Sequence, residues 1–101
     1  MNAKVLVVDD EEAIRRFLRV TLASQAYAVM EAASGREALS VAATHKPDVV
    51  ILDLGLPDTE GVEVTRLLRQ WTQVPIIILS VRGSEGDKIA ALDAGADDYL
   101  T

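Results

Sequence analysis

Three short, uninterrupted apolar runs constrain the fold of this chain more than any other feature. They read VLVV at residues 5–8, VVIL at residues 49–52 and IIIL at residues 76–79. Runs of β-branched and leucine residues without polar alternation are typical of parallel strands that helices cover on both faces. Two weaker strands are predicted at residues 27–31 and 97–100. The pattern therefore favours a parallel sheet of five strands with a buried centre.

Each segment between these strands has the period of a helix, with mostly apolar residues three or four positions apart. The residues are Ile14, Phe17, Leu18, Thr21 and Leu22 in the first segment, Ala38, Leu39 and Ala42 in the second, Val64, Leu67, Leu68 and Trp71 in the third, and Ile89, Leu92 and Ala96 in the fourth. The strands begin roughly 20 to 25 residues apart, which leaves room for right-handed crossover helices. We therefore predict an α/β domain with a doubly wound, five-stranded parallel sheet. Of the strand orders available to such a sheet, we predict the flavodoxin-like order 2-1-3-4-5, which places the first and third strands side by side. We expect Trp71 to be a packing residue.

Composition limits the partners of this domain. Its 101 residues, half of them hydrophobic, suit one compact domain. The 16 acidic and 10 basic residues give a net charge of −6, which would repel nucleic acid, so no direct contact with DNA or RNA is expected. The lack of cysteine is consistent with a reducing compartment, and no apolar run approaches the ~20 residues that span a bilayer. We therefore expect a cytoplasmic domain that does not enter membranes.

Carboxylates follow two of the strongest strands. Asp9 and Asp10 come after the first strand, and Asp53 comes after the third. In the order 2-1-3-4-5 these strands are neighbours at the point where the strand order reverses, which is where open parallel sheets bind ligands. Two carboxylates about 5 Å apart repel each other by roughly 3 kcal/mol at an effective dielectric constant near 20, unless a proton or a cation offsets the repulsion. All-oxygen ligation suits Mg²⁺, so the pattern predicts a divalent-cation pocket.

A simpler interpretation assigns the same acids to helix capping. In that case the acids of residues 9–12 would favour the positive end of the first helix, and Asp53 would cap a turn. The position of Asp53 at the matching end of the neighbouring strand favours the cation site, although the two roles can coexist.

The residues around Asp53 suit phosphoryl transfer. A carboxylate beside a metal ion can attack phosphorus and become an acyl phosphate, and this chemistry requires mainly positioning and charge stabilisation. Gly55 would let the main chain approach the ion, and Pro57 would stiffen the loop. Ser80 follows the fourth strand, where its hydroxyl could contact the phosphoryl group, although a serine in such a place is more often a cap or a turn residue.

Taken together, these motifs resemble those of the receiver domain of two-component response regulators. The matching residues are Asp9 and Asp10 after the first strand, Asp53 with the LGLP sequence that follows it, Ser80 after the fourth strand, and AGADDY at residues 94–99. Their order and spacing extend over essentially the whole chain. Within the family the chain is most similar to the winged-helix transcription-factor class, so the resemblance implies control of transcription by phosphorylation.

The resemblance implies a role for each residue of the acidic pocket. Asp53 would accept phosphate from the histidine of a sensor histidine kinase. Asp10, Asp53 and the main-chain carbonyl of Gly55 would bind Mg²⁺, and Asp9 would assist through a water molecule. The domain would catalyse only its own phosphorylation and dephosphorylation, so it would not be an enzyme that acts on other substrates.

Other positions match the family's switch and its contact surfaces. Ser80 and Tyr99 match the switch pair, in which the hydroxyl moves toward the phosphate and the aromatic ring turns inward. Lys88, Asp97 and Asp98 match charged positions on the fourth-helix and fifth-strand face, through which phosphorylated members form homodimers. The first helix, which carries three arginines, helps to dock the kinase in the family, although an exposed basic face is the simpler interpretation.

The chain differs from the family pattern at its carboxyl end. Family receivers continue after the fifth strand with a lysine and a fifth helix, whereas this sequence stops at Thr101. We therefore expect residues 1–101 to be a receiver domain that is incomplete at its carboxyl end and lacks the DNA-binding output domain. The missing lysine would leave the pocket more anionic and slow phosphorylation, and the missing helix would expose apolar surface on one face of the sheet.

Three other functions are compatible with parts of the pattern. A Mg²⁺-dependent phosphohydrolase with an aspartyl nucleophile would normally have a second acid two residues after Asp53, where this chain has Gly55. A flavin-binding module would need a phosphate-binding loop after the first strand, where the acids of residues 9–12 would repel the flavin phosphate. A structural interaction module with inert acids is the remaining alternative.

Overall fold

The computed structural model describes residues 2–80 and 84–100, in which five parallel strands alternate with four helices. The strands are β1 (Lys4–Val8), β2 (Ala28–Ala32), β3 (Val49–Leu52), β4 (Ile76–Leu79) and β5 (Asp98–Leu100), and the helices are α1 (Glu12–Ala23), α2 (Gly35–His45), α3 (Gly61–Arg69) and α4 (Glu85–Ala94). The strand order is β2-β1-β3-β4-β5, which confirms the predicted flavodoxin-like fold. Met1 and Thr101, the ends of the predicted domain, lie outside the described residues. Within the described part, no helix combines the length and the apolar character needed to cross a membrane.

The strand register places the ends of β1 and β3 side by side. Val8 is the partner of Leu52, and the strand order reverses here because β2 lies on the other side of β1. Backbone hydrogen bonds continue past both strands, since the Asp53 N–H donates to the Val8 carbonyl at 2.9 Å and the Asp9 N–H donates to the Ala32 carbonyl at 3.1 Å. The residues that follow β1 and β3 are therefore held at one edge of the sheet.

The main core lies on the sheet face that α2, α3 and α4 cover. Alternate strand residues such as Leu6, Leu52 and Ile78 are fully buried there, together with Val64 and Leu68 of α3. Burying an aliphatic side chain of this size stabilises a fold by roughly 1.5–3 kcal/mol. The central strands are therefore a rigid support for the residues at their carboxyl ends.

The opposite face of the sheet is less completely covered. Ile51 and Ile77 are only half-buried there. Phe17, which the helical period places in the packed stripe of α1, is 65% exposed, so that prediction is wrong. The packed stripe is narrower than predicted, because α1 turns only residues four positions apart, such as Ile14 and Leu18, toward the sheet.

α4 turns a different face inward from the one predicted. Ala91 is its buried residue, whereas Ile89 and Leu92 are 56% and 40% exposed. Residues 89–92 are apolar all round the helix, so periodicity alone does not select the inner face. The packing prediction for Trp71 is also wrong, since this side chain is 51% exposed. α3 ends at Arg69, and its helical period does not reach Trp71.

Candidate metal centre

Three carboxylates gather at the edge where β1 and β3 end. Asp9, Asp10 and Asp53 each contribute a carboxylate oxygen, and these atoms all lie within 4.8 Å of one another. Asp9 is only 9% exposed, whereas Asp10 is exposed and Asp53 is half-buried. Like charges at this spacing repel strongly in a partly desolvated site, so the cluster favours a proton or a cation.

Asp9 belongs both to the acidic cluster and to the turn that precedes α1. Its Oδ1 atom accepts a hydrogen bond from the Glu11 N–H at 2.9 Å, and Glu11 is the residue directly before the helix. Burial raises the pKa of Asp9 above its ordinary value, the hydrogen bond from Glu11 opposes this rise, and the charges of Asp53 and Asp10 add to it. Asp9 therefore fixes the turn before α1, and its carboxyl group holds a proton more tightly than an ordinary aspartate does, because its pKa is raised.

Two arginines of α1 make contacts inside the domain. Arg15 donates from Nη1 to the Asp9 carbonyl at 2.8 Å and from Nε to Glu31 Oε1 at 3.3 Å. Arg19 donates to Glu31 Oε2 at 2.7 Å, whereas Arg16 is exposed. Arg15 thus orients the chain between β1 and α1, which carries two of the three acids. Sequence reasoning missed this role, because nothing local in the sequence indicates the pairing with Glu31.

The loop from Asp53 to the start of α3 is closed on itself. The Gly61 N–H donates to the Leu54 carbonyl at 2.7 Å, and Gly55 forms an isolated antiparallel bridge with Glu60. A Cβ atom on Gly61 would lie 2.4 Å from the Asp53 carbonyl oxygen, so only glycine fits there without a shift of the backbone. The closure fixes the main chain around Gly55. The sequence indicates a turn at Gly61 but not this close approach.

Ser80 and Tyr99, the predicted switch pair, are both buried. Ser80 directly follows β4, is 5% exposed and donates its N–H to the Leu100 carbonyl at 3.1 Å. Tyr99 is paired with Ile78 in the sheet register, and its ring packs in the main core. The Tyr99 hydroxyl is buried and has no hydrogen-bond partner among residues 2–80 and 84–100. The ring therefore has the inward orientation in this structure.

The three predicted interface residues differ in their surroundings. Lys88 on α4 and Asp98 on β5 are exposed. Asp97 Oδ2 accepts hydrogen bonds from the Ile76 N–H at 2.7 Å and from Arg69 Nη2 at 2.8 Å. Arg69 also donates to the main-chain carbonyls of Thr72, Val74 and Gly95. The Asp97 side chain is also exposed, but its carboxylate belongs to an intramolecular hydrogen-bond network that sequence reasoning did not predict.

The donor set of the acidic cluster fits a hard divalent cation. Carboxylate oxygens are the ligands that Mg²⁺ and Ca²⁺ prefer, and Mg²⁺ also keeps several water molecules. Asp10 is exposed, so the cluster is open to solvent on that side. The arrangement can therefore hold a hydrated cation beside a carboxylate that could act as a nucleophile.

Comparison with known proteins identifies the class. The family model of the response regulator receiver domain matches residues 5–101, so this chain belongs to the receiver-domain family of response regulators. The five-stranded sheet and the acidic site agree with this assignment. Membership of this family does not favour the alternative that the domain is a phosphohydrolase.

Individual relatives show which members of the family this chain is similar to. The chain is 61% identical over 97 residues to the KDP operon transcriptional regulatory protein KdpE of Escherichia coli (strain K12). The aligned region covers 96% of this chain and 43% of that protein. It is 56% identical over 97 residues to the transcriptional regulatory protein KdpE of Mycobacterium tuberculosis, with the same coverage of each. Among solved structures, the BeF3-activated N-terminal receiver domain of Klebsiella pneumoniae RstA matches with a TM-score of 0.92 and 33% identity, covering 96% of this chain and 83% of that one. The predicted likeness to transcription regulators is confirmed, and the chain spans less than half the length of these curated relatives.

Proposed function

We propose that this domain is the phosphoacceptor of a two-component response regulator and that Asp53 receives a phosphoryl group from the histidine of a sensor histidine kinase. The observation that carries the proposal is the convergence of three carboxylates, from Asp9, Asp10 and Asp53, within 4.8 Å. Membership of the receiver-domain family supports it. The domain would act on its own aspartate and would not turn over other substrates.

The metal site of the proposal uses side-chain and main-chain oxygens. Asp10, Asp53 and the Gly55 carbonyl would hold Mg²⁺, and Asp9 would act through a water molecule. One Asp9 oxygen already accepts the Glu11 N–H, which suits a residue that does not contact the ion directly. When bound, Mg²⁺ would neutralise the oxygens of the phosphoryl group during transfer.

In the transfer step, a carboxylate oxygen of Asp53 would attack the phosphorus of the phosphohistidine. The new O–P bond would form as the P–N bond breaks, and the electron pair of the broken bond would return to the imidazole nitrogen. The hydrogen bond from the Asp53 N–H to the Val8 carbonyl holds the nucleophile's main chain before the reaction, which lowers the entropic cost of positioning. The Ser80 hydroxyl would then donate to a phosphoryl oxygen, and Tyr99 would form the second part of the switch.

The surface of α4 and β5 would form the homodimer of the phosphorylated, full-length regulator. Ile89, Leu92 and Leu100 are exposed apolar residues on these elements, and the charged residues Lys88 and Asp98 are on them too. An apolar centre with a charged rim is the usual composition of a protein interface. Because the relatives described above are transcriptional regulatory proteins, we infer that the output is cytoplasmic control of transcription, without nucleic-acid contact by this acidic domain.

Phosphorylation by a small phosphodonor tests the proposal. The protein is incubated with Mg²⁺ and acetyl phosphate, and its intact mass is followed with time. We expect a single phosphoryl adduct that does not form when Mg²⁺ is chelated before the phosphodonor is added. Asp53→Asn should abolish the adduct, because the amide keeps the shape of the side chain but is not a nucleophile.

Asp93→Asn is the matched control for this experiment. Asp93 is exposed near the carboxyl end of α4, at the opposite edge of the sheet from the acidic cluster, and its variant should be modified like the wild type. An Asp53→Asn variant that is phosphorylated as fast as the wild type would show that the proposal is wrong. Release of phosphate from many phosphoesters without a protein adduct would favour the hydrolase instead.

A further inference from the structure

We propose that Asp58 is a positioning residue for the metal site, because it holds the loop that carries Gly55 against the amino terminus of α2. The inference rests on the proposed function, since it concerns the Mg²⁺ that the Gly55 carbonyl would help to bind. Asp58 itself does not contact the ion in this proposal. It acts through the main chain of its own loop.

The first observation is a two-point contact between Asp58 and α2. Asp58 Oδ1 accepts the Gly35 N–H at 2.8 Å, and Oδ2 accepts the Arg36 N–H at 2.9 Å. The first N–H groups of a helix have no partner within the helix, so each bond satisfies a donor that otherwise needs water. The bonds from Arg36 and Gly35 lower the pKa of Asp58 below its ordinary value of 3.8. The contact is therefore charge-assisted at neutral pH.

The second observation is close packing at the same helix end. A Cβ atom on Gly35 would lie 2.3 Å from Thr59 Cγ2 and 2.9 Å from Val64 Cγ2. Thr59 follows Asp58 directly, so two consecutive residues of the loop contact the amino terminus of α2. The loop is fitted to this helix end by packing as well as by hydrogen bonds.

The third observation is the closed base of the loop. The Gly61 N–H bond to the Leu54 carbonyl and the bridge between Gly55 and Glu60 join the two ends of the loop. Asp58 holds its tip, so Gly55 lies between two fixed points. Without the bonds from α2 the tip would be free to move about the closed base, and the Gly55 carbonyl would spend less time in the orientation that the ion requires.

The helix offers its own control. Ser34 is the N-cap of α2, and its Oγ atom accepts the Glu37 N–H at 3.1 Å. Ser34→Ala therefore removes a capping bond from the same helix end but leaves the bonds of Asp58 in place. A purely structural role for Asp58 predicts that Ser34→Ala and Asp58→Ala have the same effect on the metal site.

Mg²⁺ affinity, measured by isothermal titration calorimetry on protein shown to be folded by circular dichroism, tests the inference. We expect Asp58→Ala to raise the Kd for Mg²⁺ by about 10-fold, as loss of an outer-shell contact typically does. Asp58→Asn, which keeps one acceptor oxygen, should have a smaller effect, and Ser34→Ala should leave the Kd unchanged.

Two results would overturn the inference. The first is wild-type affinity in both Asp58 variants, and Asp58→Asn alone decides this if Asp58→Ala does not fold. The second is an equal loss of affinity in Ser34→Ala, which would assign the effect to the stability of α2. Failure of the wild-type protein to bind Mg²⁺ would instead contradict the proposed function, and the inference with it, so the two failures are distinguishable.

Discussion

At the level of single residues, the buried charge of Asp9 opposes folding when no cation is bound. Asp9 is the most buried of the three acids in the cluster, and its raised pKa means that the folded state holds the Asp9 proton more tightly than the unfolded chain does. The wild-type domain should therefore lose stability as the pH rises from the unfolded pKa through the raised folded pKa. Above that window the buried charge is a net cost in the metal-free protein.

Asp9→Asn should consequently stabilise the metal-free domain at pH 7. The amide oxygen can still accept the Glu11 N–H, so this hydrogen bond is kept while the charge is removed. We expect a higher free energy of unfolding than in the wild type, because burial and the neighbouring charges raise the folded-state pKa of Asp9; urea denaturation in the presence of a chelator measures the difference. The gain should vanish at a pH below both pKa values of Asp9. A loss of stability at pH 7 would show that neither burial nor the neighbouring charges make the Asp9 carboxylate a net cost to folding.

The contribution of Asp58 to folding stability should depend on pH in the opposite direction from that of Asp9. Its folded pKa is lowered by the N–H groups of Arg36 and Gly35, so its contribution to stability is complete above the unfolded value of 3.8 and is lost as the pH falls through the lower folded value. Asp58→Asn should therefore be less stable than the wild type at neutral pH and approach it in acid. Denaturant unfolding across this pH range measures the difference. Ser34→Ala removes no ionisable group, so its difference from the wild type should not close in acid.

At the level of elements, the loop between β3 and α3 depends on one close backbone approach. Gly61→Ala would place a methyl group 2.4 Å from the Asp53 carbonyl oxygen. We expect a loss of about 2–4 kcal/mol in the free energy of unfolding, because neither backbone segment can move without breaking the loop closure. Gly86→Ala in α4 is the control, since its Cβ would meet only Ser84 Oγ at 3.7 Å. That variant should gain about 0.5–1 kcal/mol from helix propensity, and equal effects of both changes would contradict the prediction.

The attachment of α1 to the sheet depends on Arg15. Arg15→Ala removes the donor to the Asp9 carbonyl and one of the two ion pairs to Glu31. We expect a loss of about 1.5 kcal/mol in the free energy of unfolding, typical of a hydrogen bond to a charged group. Arg16→Ala, at the exposed neighbouring position, should change it by less than about 0.5 kcal/mol. Thermal and urea unfolding of the two variants side by side would reveal whether Arg15 differs from an ordinary surface arginine.

At the level of the whole molecule, the sequence was sufficient for the parallel strands and for the acids that follow two of them, because both depend on local patterns. The strand order was selected from the orders open to such a sheet, and the structure confirms both that order and the meeting of the acids. The contacts of Asp58 with residues 22 and 23 positions away, by contrast, depend on how two loops approach each other. The sequence also could not predict which face of α4 is buried. Ile89 and Ala91 are both apolar, and which of them is buried depends on how the helix is rotated about its axis against the sheet.

The Arg69 network fixes one end of the molecule. Its guanidinium joins the segment after α3, the start of β4 and the end of α4 through the Val74 carbonyl, the Gly95 carbonyl and Asp97. The acidic cluster lies at the opposite edge of the sheet, where the strands end and from which the chain continues to the start of α4. A displacement of α4 would therefore be smallest at its carboxyl end, where Arg69 holds Gly95, and largest at its amino terminus.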